Sequence, residues 1–116
     1  MTITVAESPC PEISATMPLV APEKLSTCEK IVVTHGTDSM VETARTLLDV
    51  PGKTIVLTGA MQPARFRDSD AVFNIGVAVG AVCSLPHGVY LAMNGRIFDP
   101  RTTRKNREKN RFESAE

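Results

Sequence analysis

The chain has no tryptophan, one tyrosine and four phenylalanines among its 116 residues. An aromatic-rich binding surface is therefore not expected. It also lacks net charge, because thirteen Lys and Arg balance thirteen Asp and Glu. The molecule as a whole carries no bias towards nucleic acid or anionic membrane. The longest apolar run, Ala71 to Leu85, is interrupted by Asn74 and falls short of the roughly 20 residues a membrane span needs. No basic stretch followed by an apolar core opens the chain, so no secretory signal is expected. Cys10, Cys28 and Cys83 are odd in number and widely spaced, which excludes a CxxC metal pattern and gives no disulfide framework. Free thiols in a reducing compartment follow. The expectation is a soluble, cytoplasmic protein of one domain at most, with a single modest core and no metal or cofactor.

Two segments differ in texture. Residues 1–29 are punctuated by Pro9, Pro11, Pro18 and Pro22, which disfavour helix at and before each position. A loosely ordered segment is expected there, with a short strand at Thr2 to Ala6 where Ile3 and Val5 alternate with polar neighbours. From residue 30 to 113 the pattern becomes regular. Ile31-Val32-Val33 reads as a buried strand, and Met40, Val41, Ala44, Leu47 and Leu48 share one helical face. Val50-Pro51-Gly52 stops that helix. Thr54 to Thr58 is a second strand and Val89 to Met93 a third.

Asp70 to Ser84 is apolar nearly all round, and its length favours a helix over a strand. Gly76 and Gly80 would then lie on one face, where close approach to a sheet needs small residues. Strand–helix–strand repeats imply a parallel sheet with right-handed crossovers. After Asn94 the chain turns polar, and six residues between Arg101 and Arg111 are Lys or Arg. A charged tail or short helix is expected there.

The turn after the first regular strand, Thr34-His35-Gly36-Thr37-Asp38-Ser39-Met40, concentrates hydroxyl, imidazole and carboxylate groups. Its place between strand and helix puts it at the carboxyl end of a parallel strand, where open α/β sheets bind ligands. Asp38 or Ser39 can also cap the helix that follows, a role compatible with a site. Asp68 and Asp70 read as carboxylates at a helix N-terminus. Gly36 and Gly59 are too few for a phosphate-binding glycine motif.

Three stretches together resemble the L-asparaginase family, N-terminal domain, and most closely its short single-domain members. Residues 34–40 with Glu42-Thr43-Ala44 are similar to its THGTDTMEETA signature. Leu57-Thr58-Gly59-Ala60-Met61-Gln62-Pro63 is similar to its LTGAMRP stretch, and Ser69-Asp70 with Phe73-Asn74 to the SADGPFN that follows. Val89 to Asn94 resembles the strand ending VVMN. The family's fold is a flavodoxin-like, three-layer parallel sheet. Its reaction hydrolyses asparagine, sometimes glutamine, to the acid and ammonia, with two threonines at the site.

The resemblance implies a catalytic group of Thr37, Asp38 and Lys105. Asp38 would also bind the substrate α-amino group, and Ala60 would lie beside the scissile amide through its backbone. It further implies an amino-acid substrate, a homo-oligomer, and no nucleic-acid or membrane partner. His35 reads as a packing and hydrogen-bonding residue. The family's TGGTI motif, which carries the nucleophilic threonine, occurs nowhere in this sequence. The domain therefore reads as truncated at its N-terminal end, with impaired hydrolysis and an exposed sheet edge. A non-catalytic remnant that binds an amino acid or serves as an interaction module is the alternative. Threonine is a weak nucleophile that needs a base or a neutral amine beside it, so the Thr–Lys–Asp set is chemically sensible for moving a proton.

Overall fold

The computed structural model describes residues 2–6, 29–61, 70–109 and 111–114, the first of these as backbone. Strand β1 spans Thr2–Ala6, β2 Lys30–Thr34, β3 Thr54–Thr58, β4 Gly88–Met93 and β5 Arg96–Phe98; helix α1 spans Met40–Thr46 and α2 Ala71–Ser84. The strands form one sheet in the order β1-β2-β3-β4-β5. β2, β3 and β4 are parallel neighbours, whereas β1 and β5 run antiparallel at the two edges. The sheet is thus mixed, with a parallel centre, and the expectation of an all-parallel sheet is corrected at both edges.

The physical reason differs at the two edges. Asn94, at φ 55, and Gly95, at φ 75, form the two-residue turn that folds β5 back on β4. β1 reaches the other side of β2 in antiparallel register, with Thr2 opposite Thr34 and Ala6 opposite Lys30. The β2 edge, expected to be exposed, is therefore covered by β1. Residues 7–28, which hold Cys10, Cys28 and the four prolines, lie outside the described residues. Cys83 is a free, exposed thiol.

Because side chains alternate along a strand, the sheet offers two apolar faces. Ile31, Val33, Ile55, Leu57, Val89, Leu91 and Met93 face α1, whose Met40, Val41 and Ala44 are buried against them. Val32, Val56 and Ala92 face α2, which buries Ala78 and Val82. The helices cover opposite faces, giving three layers. Both crossovers nevertheless step the same way, from β2 to β3 and from β3 to β4. Two crossovers that step in one direction over opposite faces have opposite hands, so one departs from the right-handed rule.

Gly76 and Gly80 point away from the sheet, with open space where a Cβ would stand. The close-approach reading is corrected: Asn74, Ala78 and Val82 make the buried stripe. No helix among the described residues is long and apolar enough to cross a membrane.

The basic C-terminal region is neither tail nor helix. β6 (Thr103–Asn106) and β7 (Arg111–Ser114) form an antiparallel hairpin. Phe112 is buried in the α1-side core, its ring 6.4 Å from that of Phe98. Burial of that one aromatic ring stabilises the hairpin by about 2 kcal/mol. Alternation then places Thr103 and Lys105 on the inner side with Phe112, their cross-strand neighbourhood. Arg104 and Glu113 pair on the outer side at 2.8 Å.

Candidate active site

The carboxyl ends of β2, β3 and β4 converge on three short connections. Thr34 leads to His35, Gly36, Thr37 and Asp38; Thr58 leads to Gly59, Ala60 and Met61; Met93 leads to Asn94. His35 N–H donates to the Thr58 carbonyl at 2.9 Å, extending the ladder by one residue. A Cβ at Gly59 would collide with the His35 carbonyl oxygen and stand 3.0 Å from Met40 Cε. Glycine there lets the first two connections lie against each other. The His35 ring braces the first. Its Nδ1 lies 2.7 Å from the Gly36 carbonyl, which only accepts, so Nδ1 carries the proton; in the neutral ring Nε2 then accepts from the Thr43 hydroxyl at 2.9 Å.

The hairpin delivers Lys105 to this corner. Its ammonium donates to Thr37 Oγ1 and to Asp38 Oδ1, both at 2.7 Å. Lys105 is 14% exposed at the side chain, whereas Asp38 is 73% exposed. Arg107 lies 3.9 Å from the same carboxylate oxygen. Asp38 does not cap α1, and neither does Ser39, whose position before Met40 makes no side-chain cap bond. The carboxylate is committed to Lys105 instead, because the hairpin brings it a charged donor, a stronger partner than a neutral amide.

The hydrogen bond from Lys105, then the charges of Lys105 and Arg107, hold the Asp38 carboxyl below the ordinary carboxylate range against a small desolvation effect. A depressed folded value means the contact is complete above the ordinary range and is lost as pH falls through the lowered one. A carbon-detected NMR titration of wild type should place the Asp38 midpoint below that of free aspartate. Lys105→Met should bring it back towards the ordinary range; an unchanged midpoint would show that the ammonium does not act on this carboxylate. The side-chain amide of Asn106 similarly holds the Glu113 carboxyl low against burial, with Arg104 and Arg111 adding to the effect.

Ala60 sits between two pinned neighbours. The Gly59 carbonyl accepts from Asn74 Nδ2 at 2.8 Å, and the Met61 N–H donates to Asp70 Oδ2 at 3.0 Å. Asn74 Nδ2 also donates to Asp70 Oδ2, and Asn74 Oδ1 accepts from the Asn94 N–H. Asp70 precedes α2 but makes no side-chain cap bond to it; its carboxylate serves the Met61 connection. Asp68 lies outside the described residues. Residue patterning does not single out Asn74 as a bridge, although a lone amide in an otherwise apolar helix is the available signal. His87 is exposed, as its turn position suggests.

A cleft of about 190 Å³ between α1 and β6 is bordered by Asp38, Val41, Arg45, Thr103, Lys105 and Arg107, among others. No group of three or more His, Cys, Asp or Glu side chains able to hold a metal is found among the described residues. The side chains brought together here are a hydroxyl, an ammonium and a carboxylate. They can exchange a proton or bind a zwitterion's charged ends.

The family model for the N-terminal domain of asparaginase matches residues 12–115. The chain belongs to the asparaginase family, as its N-terminal domain. It is 38% identical over 97 residues to L-asparaginase 2 of Escherichia coli, covering 75% of this chain and 28% of that protein. It is 43% identical over 76 residues to a component of the glutamyl-tRNA(Gln) amidotransferase of Methanococcus vannielii, covering 61% and 17%. With the glutaminase-asparaginase of Pseudomonas aeruginosa it shares 38% over 80 residues, covering 65% and 22%. The chain thus spans between a sixth and under a third of the length of these relatives.

Proposed function

We propose that the Thr37–Asp38–Lys105 corner is part of an asparaginase-type amidohydrolase site on a flavodoxin-like sheet. The reaction is L-asparagine and water to L-aspartate and ammonia. The observation that carries this is the Lys105 ammonium, placed 2.7 Å from both the Thr37 hydroxyl and the Asp38 carboxylate. In this reading Thr37 meets the amide or an activated water, and Lys105, hydrogen-bonded to its hydroxyl, relays the proton. Asp38 holds the substrate's α-amino group, and the pinned Gly59–Met61 backbone presents Ala60 beside the scissile amide. A threonine hydroxyl needs such a neighbour to become nucleophilic. The names of the relatives, asparaginase and glutaminase-asparaginase, make asparagine and glutamine the amides to test.

The Lys105 ammonium, already held between the Thr37 hydroxyl and the Asp38 carboxylate, favours a second reading, in which the corner binds an amino acid without turning it over. Ammonia release and calorimetry separate the two. The isolated chain is expected to release little or no ammonia from asparagine. Release that is lost in Thr37→Ala would establish turnover by this chain alone. Aspartate binding that is lost in Asp38→Ala, without turnover, would establish the binding role. Neither binding nor release would sink both readings. With its odd, widely spaced cysteines, the same reading proposes a cytoplasmic domain that works as a homo-oligomer.

A further inference from the structure

Lys105 is one of six basic residues between Arg101 and Arg111, yet it is the one whose ammonium reaches Thr37. Phe112 anchors the partner strand β7 in the core, but β6 and the turn before it need their own tether. That turn, Asp99 to Thr103, closes on itself: the Thr102 N–H and the Thr103 hydroxyl both donate to the Asp99 carbonyl. Arg45, in the last turn of α1, reaches across to it. Its Nε donates to the Pro100 carbonyl at 2.9 Å and its Nη2 to the Thr103 carbonyl at 3.2 Å. These two bonds tie the turn and β6 to a helix, whereas Arg104 and Asn106 bond to Glu113 within the hairpin.

We propose that Arg45 is the positioning residue for Lys105. Its planar fork holds two carbonyls three residues apart, which fixes both the distance and the tilt of the backbone entering β6. Thr103 is fully buried and lies two residues before Lys105 on the same side of the strand. A fixed Thr103 therefore aims Lys105 at the connection before α1, where Thr37 and Asp38 stand. α1 thus contributes both ends of the arrangement: its N-terminal approach carries Thr37 and Asp38, and its last turn carries the clamp. A single-pronged ammonium at position 45 would reach one carbonyl and leave the tilt free.

The role rests on the Thr37–Asp38–Lys105 reading of the site, but its test does not need turnover. Asp38 reports the ammonium through its titration midpoint, and Arg45 is not among the groups that hold that midpoint low. In full-length protein labelled with carbon-13 aspartate, Lys105→Met marks the midpoint without the ammonium. Arg45→Ala and Arg45→Met should move the Asp38 midpoint upward by most of that distance, while the amide signals of Leu57, Leu91 and Val82 stay dispersed and in place. Arg45→Lys should move it part of the way. An Asp38 midpoint held at the wild-type value in folded Arg45→Ala would overturn the proposal. If Arg45→Ala does not fold, Arg45→Lys decides, and no movement there overturns it equally. Failure of aspartate to bind wild type, with the midpoints moving as expected, would remove the functional reading and leave the positioning role standing.

Discussion

Gly59→Ala is expected to destabilise the domain by about 3 kcal/mol, at the upper end of what overpacking costs. The added methyl would overlap the His35 carbonyl oxygen, which is backbone and has no rotamer to retreat into. Met40 Cε, 3.0 Å from the same position, belongs to a fully buried side chain with little room to move. The two connections would have to separate. The His35 N–H bond to Thr58 and the Asn74 bond to the Gly59 carbonyl would both stretch. A chemical denaturation curve should show a lower midpoint at nearly unchanged slope. Gly36→Ala is the matched control. Open space surrounds that position, and a change within about 0.5 kcal/mol is expected there, as for ordinary surface substitutions. Equal losses at both glycines would refute the close-approach account and point to backbone freedom instead. The damage at Gly59 should also reach the site, because Ala60 is the next residue and Thr37 lies two residues beyond His35.

The same two connections show what could be read from the residues alone. β2, β3, β4 and both helices declare themselves through apolar runs and one helical face, because each buries a continuous stripe against the sheet. Thr37 and Asp38 could be placed at a strand's carboxyl end by that order alone. The hairpin could not be read that way. Its inner side is Thr103, Lys105 and one phenylalanine across from them, so the pattern looks like solvated charge until Phe112 is seen in the core. Asn94-Gly95 carries a turn signal for β5, hidden by the polar residues that follow it. Lys105 differs from Arg104 and Arg107 only in where it falls along β6, a property of register, and family resemblance alone singles it out. Arg45 looks like any exposed cation on a helix, since its two acceptors lie 55 and 58 residues away in the chain. The opposite hands of the two crossovers have no local signature, because helix periodicity does not say which face of a sheet a helix will cover.

Asn74→Leu should approach the cost of Gly59→Ala, by a different route. Asn74 is fully buried in a helix whose other inward residues are apolar, and leucine matches its shape without its polar atoms. The substitution leaves the half-buried Gly59 carbonyl and the Asn94 N–H without this partner, and a polar group left unsatisfied away from water costs about 1–3 kcal/mol. Asn94 is exposed and its N–H can turn to water, and the gain from burying leucine offsets part of the rest, so a net loss of about 1–3 kcal/mol is expected. Asn74→Asp gives the sharper result. The introduced carboxylate can still accept from Asn94 N–H, but it faces the Asp70 carboxylate and the Gly59 carbonyl where the amide had donated. Two facing carboxylates raise the proton affinity of the pair. A group whose folded pKa is raised favours the folded state in its protonated form, so the destabilisation should be largest near neutral pH and shrink as the solution is acidified. Thermal unfolding from pH 7 downward should therefore bring Asn74→Asp closer to wild type while Asn74→Leu keeps its deficit. Parallel curves for the two variants would show that the amide fills space rather than bridges β3 to β4. The bridge matters to the proposed site because it sets the height of the Gly59–Met61 backbone relative to Thr37, the two walls of the proposed amide pocket.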